Sequence, residues 1–338
     1  INSSGSLVPN NNITTVLKSL QGSGFVVLTS GTANTNHLDI TGSSNTAFSG
    51  IISGGSTNVS TDPAAANRLI KSGTGTLTLS GNNSYLSRTF VQQGVLAVQS
   101  SSALGVAGAS SAVYVRAIGT QGSIYIDGNG LNVPKTFFLN GAGFSSGALR
   151  NMNGNNTISG NIQIGWTGGA ETPATAVTLQ VDSGTQLTFS GIVSGASNLT
   201  VQGGGTAVYS GALANTMSGL TTINAGTLQL NKTSGINAIA GNVTINPSGT
   251  LLSSAANQMI DTSTITLAGG VFNTAGNAET IGSLVFNSGT LTQGGAVLGI
   301  AGAGAGALTM GDNTIISGNI SLTSTGGVLY NGTLTRAT

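Results

Sequence analysis

One short phrase recurs along this chain and constrains its fold more than any other feature. The phrase runs apolar, polar, small, glycine, threonine or valine, apolar, and its clearest copies are 91–96, 223–228, 245–251 and 286–291. The glycines that mark its phase in the C-terminal half recur at similar intervals, at Gly226, Gly249, Gly270, Gly289, Gly306 and Gly327. Self-similarity with a period of about 20 residues is typical of solenoid proteins, in which each repeat buries its apolar face only against its neighbours.

The residues on both sides of each glycine alternate between apolar and polar. In Thr76–Ser80 two leucines fall on one face, and threonine and serine fall on the other. Such alternation predicts half-buried strands. The phrase always returns in the same orientation, whereas an antiparallel sandwich would need hairpins with two-residue turns at shorter intervals. The sequence therefore predicts an all-β fold, a parallel β-helix with roughly 20 residues per coil and roughly 16 coils.

Stacking of identical phrases places like residues over like residues. We expect a buried stack on one inner face, formed by Leu77, Leu96, Leu228, Leu251 and Leu291. The turns are marked by Gly94, Gly226, Gly249 and Gly289. At Asn224, Asn246 and Asn287, amide side chains stacked in register can donate to one coil and accept from the next. Alternatively, asparagine occurs there because it tolerates the left-handed conformation of a turn.

One segment near the N terminus has helical periodicity. Ile13, Val16, Leu17 and Leu20 follow the i, i+3, i+4, i+7 pattern, with Asn12 able to cap the start. We expect a short helix at residues 13–21, lying against the first coils or covering the open end of the solenoid, where it would shield sheet edges. The coil pattern extends over the remainder, so we expect a single continuous β-helix over residues 1–338.

Charge is nearly absent from the sequence. Charged residues make up 5% of the chain and the net charge is +1, whereas about 25% charged residues is typical. No basic cluster is present to meet phosphates or anionic lipids, and no stretch approaches the roughly 20 apolar residues of a transmembrane helix. We therefore expect neither a nucleic-acid partner nor membrane insertion of this segment.

Residue types that carry chemistry are equally sparse. With no cysteine and one histidine, zinc lacks a credible ligand set, and Gly299–Ala307 lacks the lysine of a phosphate loop. We expect no metal and no cofactor. His37 and Asp39 share one strand face without a nucleophile motif, and the acids are dispersed along the chain rather than paired. We expect no catalytic residue, and we interpret Trp166 and the dispersed tyrosines as packing residues rather than a sugar-stacking platform.

The run from Gly73 to Tyr85, followed by Val91, Gly94, Leu96 and the triplet 103–105, resembles the autotransporter-associated β-strand repeat. The resemblance is strongest over 73–105 and moderate over 189–241. It implies a right-handed parallel β-helix, secretion to the outer cell surface of a Gram-negative bacterium, and an adhesive or structural role. It implies no ligand, because the repeat describes a scaffold.

Two functions of different classes are consistent with these features. The first is an extracellular adhesive or structural surface protein, an autotransporter passenger-like stalk whose partner is a host-cell, surface or polysaccharide ligand. The alternative is a self-assembling extracellular filament, sheath or surface-layer subunit, whose partner is the chain itself. A polysaccharide-degrading β-helix enzyme is a third hypothesis, which the dispersed acids disfavour. Low net charge favours association because it removes the self-repulsion that keeps proteins apart.

Overall fold

The chain folds as an all-β parallel solenoid of about 12 turns, with no helix in the part that the structure describes. The structure is a computed structural model. It describes most of the chain, namely residues 2, 4–8, 14–28, 37–55, 68–108, 111–117, 121–167, 172–302, 308–310, 314–322 and 328–330.

Thirty strands follow one another along the described chain. The first ten are β1 (Ser6–Leu7), β2 (Thr14–Leu17), β3 (Phe25–Leu28), β4 (His37–Ile40), β5 (Thr46–Phe48), β6 (Ile51–Gly54), β7 (Arg68–Lys71), β8 (Thr76–Leu79), β9 (Arg88–Val91) and β10 (Gly94–Val98). The next ten are β11 (Val113–Val115), β12 (Gly122–Asp127), β13 (Asn132–Val133), β14 (Phe137–Leu139), β15 (Leu149–Asn153), β16 (Asn155–Ile158), β17 (Ile162–Ile164), β18 (Ala176–Val181), β19 (Gln186–Phe189) and β20 (Val193–Ser194). The last ten are β21 (Asn198–Gln202), β22 (Thr206–Gly211), β23 (Thr221–Lys232), β24 (Val243–Ser253), β25 (Thr264–Asn273), β26 (Glu279–Ile281), β27 (Ser283–Ile300), β28 (Leu308–Met310), β29 (Thr314–Leu322) and β30 (Val328–Tyr330).

Three columns of parallel strands form three faces of the solenoid, here named A, B and C. Face A begins with β1, β3 and β6 and continues through 83–86 and 102–106 to β13, β16, β19 and β22. Face B holds β2, β4, β7, β9, β11, β14, β17 and β20. Face C holds β5, β8, β10, β12, β15, β18 and β21. The long strands β23, β24, β25 and β27 bend across a corner, and each pairs on face C first and on face A afterwards.

Many coils are longer than the sequence phrase predicts, and there are fewer of them. The coil between the paired residues Leu77 and Leu96 has the predicted length, but the coil between the paired residues Ile40 and Lys71 is much longer. The strand phrases keep their length, and the extra residues lie in the connections between faces. Because the predicted period came from the most regular coils, the prediction overestimated the number of turns.

The interior is a single cluster of buried side chains that runs from Leu20 to Met310. In each regular strand the inward residues are buried and the outward residues are partly exposed, as in β18 and β19. This alternation follows from the two-residue period of a strand. The core is therefore formed by short strands that contribute one to three inward side chains each, as β18 does with three.

The five predicted core leucines are all buried, but they lie in two columns rather than on one inner face: Leu77, Leu96, Leu228, Leu251 and Leu291. Leu77 and Leu96 pair on face C, in the column that later contains Ile223. Leu228 and Leu251 pair on face A, where Phe272 and Leu291 follow. Sequence spacing alone did not separate the columns because every face has the same alternation.

The predicted helix at residues 13–21 is wrong over its described part. Thr14–Leu17 is strand β2, which pairs in parallel with β4 on face B, and 18–21 is not helical. Thr14, Thr15 and Val16 are all β-branched, which favours a strand over a helix. The backbone of β4 offers hydrogen-bonding partners that a two-turn helix could not match. Residue 13 lies outside the described residues.

Candidate functional site

The predicted turn glycines lie at corners where the backbone of the previous coil comes close. Gly94 and Gly226 have φ values of 70° and 75°, in the left-handed region that strains any residue with a side chain. A Cβ atom on Gly249 would clash with the carbonyl oxygen of Ile223 in the coil below. Gly289 also has a positive φ, of 114°. These glycines are required by coil stacking.

The predicted asparagines form a short ladder rather than a continuous one. The Asn246 amide Nδ2 donates to Oδ1 of Asn224 across 2.6 Å. Asn287 does not continue this ladder, because it lies two coils beyond Asn246. In the coil between them the equivalent residue is Ala268, which follows Leu267, the partner of Ile245. A second, separate amide pair lies in the preceding coils, where Nε2 of Gln202 donates to Oε1 of Gln180 across 3.1 Å.

Two buried asparagines, which sequence reasoning did not single out, each join three coils. Oδ1 of Asn83 accepts from the backbone N–H of Ile52 at 2.7 Å, and its Nδ2 donates to the carbonyl of Ala103 at 2.6 Å. Asn215 makes the same two bonds, to the N–H of Val193 and the carbonyl of Ala238, both at 2.9 Å.

Asn83 and Asn215 are 4% and 3% exposed, so both amides form their hydrogen bonds without competition from water. The only sequence signal for them was their position after the matching dipeptides Ser80-Gly81 and Ser210-Gly211.

Exposed asparagines form a second recurrent device at the corners. Oδ1 of Asn198 accepts from the N–H of Leu220, and Oδ1 of Asn242 accepts from the N–H of Thr264, in each case one coil further on. Asn45 and Asn161 do the same across longer coils, for the N–H groups of Thr76 and Ile192. Each bond satisfies a backbone donor at the corner where a strand begins.

The outer surface of face C has two adjacent ladders of uncharged polar side chains, here named the threonine–amide surface. Its threonines are in register on consecutive coils at Thr178, Thr200, Thr222, Thr244 and Thr266. At the next outward position of each of the first four strands lie the amides Gln180, Gln202, Asn224 and Asn246. All five threonines are half-buried and outward, between buried core residues. The surface is therefore a regular array of hydroxyl, methyl and amide groups.

The outer surface of face B has an aromatic ladder instead. Phe90, Tyr114 and Phe138 stack in register with ring centroids 4.7 Å apart and nearly parallel planes. Trp166 lies edge-on to Tyr114 at 5.0 Å, and only 2% of Trp166 is exposed. Such ring pairs stabilise beyond the area they bury. The cluster fastens the connection after β17 onto the outside of the solenoid and leaves little aromatic surface for a ligand.

The few charged side chains are mostly used inside the scaffold. Nζ of Lys135 donates to the carbonyls of Val106 and Ser111 at 2.6 and 2.9 Å, and burial lowers the pKa of this ammonium to about 7. Burial also lowers the pKa of Lys71 to about 8, with Asp39 opposing the shift.

The acids are engaged in the same way. Burial raises the pKa of the Glu279 carboxyl, which accepts hydrogen bonds from Ser253 and from two backbone N–H groups. Asp182 pairs with Arg150 at 2.6 Å.

The described residues do not bring together a metal-binding set. His37 and Asp39 both point outward from β4, and the hydroxyl of Ser72 donates directly to Asp39. Among the described residues no three histidine or acidic side chains converge in a way that could hold a metal ion. Nor does any described helix have the length and hydrophobicity needed to cross a membrane.

Comparison with known proteins identifies a repeat at two places. The family model described as the passenger-associated-transport-repeat matches residues 69–98 and 199–230. These matches overlap the segments 73–105 and 189–241, in which the sequence resemblance was found. No curated protein and no solved structure matches the chain significantly.

The fold and the matches together define the class, a parallel β-solenoid that contains two passenger-associated repeats. More narrowly, the two matches within a β-solenoid are consistent with an autotransporter passenger-like repeat protein. This repeat family implies a secreted, surface-exposed segment of a Gram-negative bacterium and points to a structural passenger domain.

The two matched repeats lie on different faces. Strand β8 of the first repeat is on face C, whereas the equivalent Thr206–Tyr209 in β22 of the second repeat is on face A. Asn83 and Asn215 are displaced in the same sense, from face A to face B. The second repeat therefore makes the same internal contacts as the first but presents its outer residues on a neighbouring face.

Proposed function

We propose that the chain is the rod of an adhesive passenger, which holds contact residues away from the bacterial surface. The observation that carries this proposal is the single core from Leu20 to Met310, which links every coil between them. At about 4.8 Å per turn, about 12 turns extend over about 58 Å. A rod of this kind separates two surfaces without needing a binding pocket of its own.

A specific contact residue is Phe144, on the glycine-rich connection between β14 and β15. Its side chain is 41% exposed, yet its backbone N–H is held by the hydroxyl of Ser123 at 2.8 Å. The neighbouring Ser145 hydroxyl lies 2.8 Å from the hydroxyl of Tyr125. An exposed aromatic side chain on a positioned loop loses little conformational entropy when it binds.

The test is display of the chain on a non-adherent bacterial strain through a heterologous surface anchor. We expect cells that carry the chain to attach to host cells or to coated surfaces, and Phe144→Ser to reduce attachment. Phe25→Ser is the matched control, because Phe25 is similarly exposed, at 44%, on the distant strand β3. Display without any gain in attachment would contradict the adhesive role.

A subunit of an extracellular filament or sheath is the second candidate. It is favoured by the surface of residues 183–302, where Lys232 and Glu279 are buried and Asp261 is the one exposed charge. Without charge repulsion, association should depend weakly on salt. Sedimentation of the purified chain at low and high salt tests this: salt-insensitive multimers support it, and a monomer at high concentration contradicts it.

We also propose that the role is structural rather than enzymatic. The described acids support this, because Asp182 is paired and Glu279 is buried in a hydrogen-bonded site. Incubation of the chain with a panel of polysaccharides should release no reducing ends, and their release would contradict the proposal.

A further inference from the structure

We infer that the threonine–amide surface is a self-association surface, which packs face to face against the same surface of a second copy. This inference rests on the proposed surface display and names the partner of one face of the rod. Stacked threonine and amide ladders are the side chains that interdigitate in dry contacts between paired β-sheets. Here such ladders lie on the outside of a folded solenoid, where each of five consecutive coils contributes a threonine.

The spacing of the threonines is the same in two copies of the chain. Successive threonines are separated by the spacing of parallel strands, about 4.8 Å. A second copy has the same spacing, so a contact made at one coil is repeated at the next without drift. Neutral polysaccharide is less well matched, because sugar faces stack on aromatic rings and no outward residue of the surface is aromatic.

Charge does not oppose a contact between two of these surfaces. The ion pair Arg150–Asp182 lies at the N-terminal border of the surface, and no outward residue of face C from Asn198 to Thr266 is charged. Two copies can therefore approach without desolvating a charge or placing like charges together. The amides are already bonded to each other in two pairs, Gln202 to Gln180 and Asn246 to Asn224. This bonding fixes their orientation before a partner arrives.

The size of the surface sets the strength of the contact. Five coils by two strand steps give about 300 Å² per copy, well below the about 800 Å² per partner of a stable interface. One pair of isolated chains should therefore associate weakly. Chains anchored densely on a surface meet many partners at once, and multivalency then raises the overall affinity.

The experiment uses beads coated densely with the full chain, and the readout is bead aggregation. Thr200→Lys with Thr244→Lys places like charges on the surface and should abolish most of the aggregation seen with the unmodified chain. The matched control, Thr206→Lys with Thr250→Lys, makes the same change at outward positions of face A and should aggregate as the unmodified chain does. Circular dichroism verifies that both variants are folded.

A charge-swap arm tests whether the two surfaces meet each other. Beads with Thr200→Lys and Thr244→Lys, mixed with beads with Thr200→Glu and Thr244→Glu, should aggregate again, and this recovery should weaken with salt. Equal behaviour of the face C and face A variants would overturn the inference. So would aggregation with glucan-coated beads alone, which would assign the surface to polysaccharide. Attachment of displaying cells to host surfaces is measured separately, so failure of adhesion leaves this result interpretable.

Discussion

Single amide side chains connect the coils at the residue scale. Asn83 and Asn215 each bond a backbone N–H of the preceding coil and a carbonyl of the following one. A buried amide in this position satisfies two backbone groups that the strand ladders leave unbonded. Leucine could fill the same volume, but it would leave both groups unsatisfied in the interior.

Replacement of Asn215 by alanine should therefore lower the free energy of unfolding by about 2–3 kcal/mol, because the N–H of Val193 and the carbonyl of Ala238 lose their partners. Hydrogen exchange at the Val193 amide should accelerate in the same variant. Asn231→Ala, at an exposed position of β23, is the control and should change neither quantity. Unchanged hydrogen exchange at the Val193 amide in the Asn215 variant would show that the two hydrogen bonds of Asn215 do not stabilise the coil.

Lys135 should make stability depend on pH. Its folded pKa is about 7, below the ordinary value of 10.5. Between these values the unfolded chain binds more protons than the folded chain, so stability should rise with pH across this window. Below about pH 7 both states are protonated, and the cost of burying the charge is fully present.

Lys135→Met should flatten this rise, as measured by urea unfolding at several pH values. Lys71, which has a lowered pKa of about 8, acts in the same direction and leaves a residual slope. Lys18→Met, at an exposed lysine, should keep the full slope. If the Lys135→Met variant showed the same dependence of stability on pH as the unmodified chain, the assignment of this dependence to Lys135 would be contradicted.

At the element scale, each strand contributes every second side chain to the interior, whichever face it occupies. Leu228 of β23 is fully buried, whereas Leu213, before the same strand, is 61% exposed. Leu228→Ala should cost about 2–5 kcal/mol, since neighbouring coils hold the cavity open. Leu213→Ala is the same substitution without burial and should cost under about 0.5 kcal/mol. Denaturant unfolding of both variants measures the difference.

The strands were predictable where local alternation decides them, as at Thr76–Leu79 and β23. The face and the register of each strand were not predictable, because they depend on the lengths of the connections, which differ from coil to coil. Asn83 could not be told from a turn asparagine, since its burial comes from neighbouring coils. The helix prediction failed at Thr14–Leu17 because a helical spacing of apolar residues also fits a strand whose edge pairs with β4.

At the scale of the whole molecule, most contacts join neighbouring coils, so unfolding should depart from a two-state transition. Trp166 is the only tryptophan of the chain and reports on the aromatic ladder of the middle coils. Its fluorescence should therefore change at a different urea concentration from far-UV circular dichroism, which averages over all coils. Coincident transitions would show that the solenoid unfolds as one cooperative unit.

The one-face displacement of the two repeats has a consequence for how genes of this kind change length. The two matched segments, 69–98 and 199–230, begin on different faces, so the interval between them is not a whole number of turns. Recombination between them would remove a stretch that ends on a different face from the one on which it began. We expect the product to fold, because every face has the same alternation of inward and outward residues. The shortened chain would lose several whole turns and one third of a turn, so its downstream outer residues would lie on a neighbouring face while its inward residues still pack in the core.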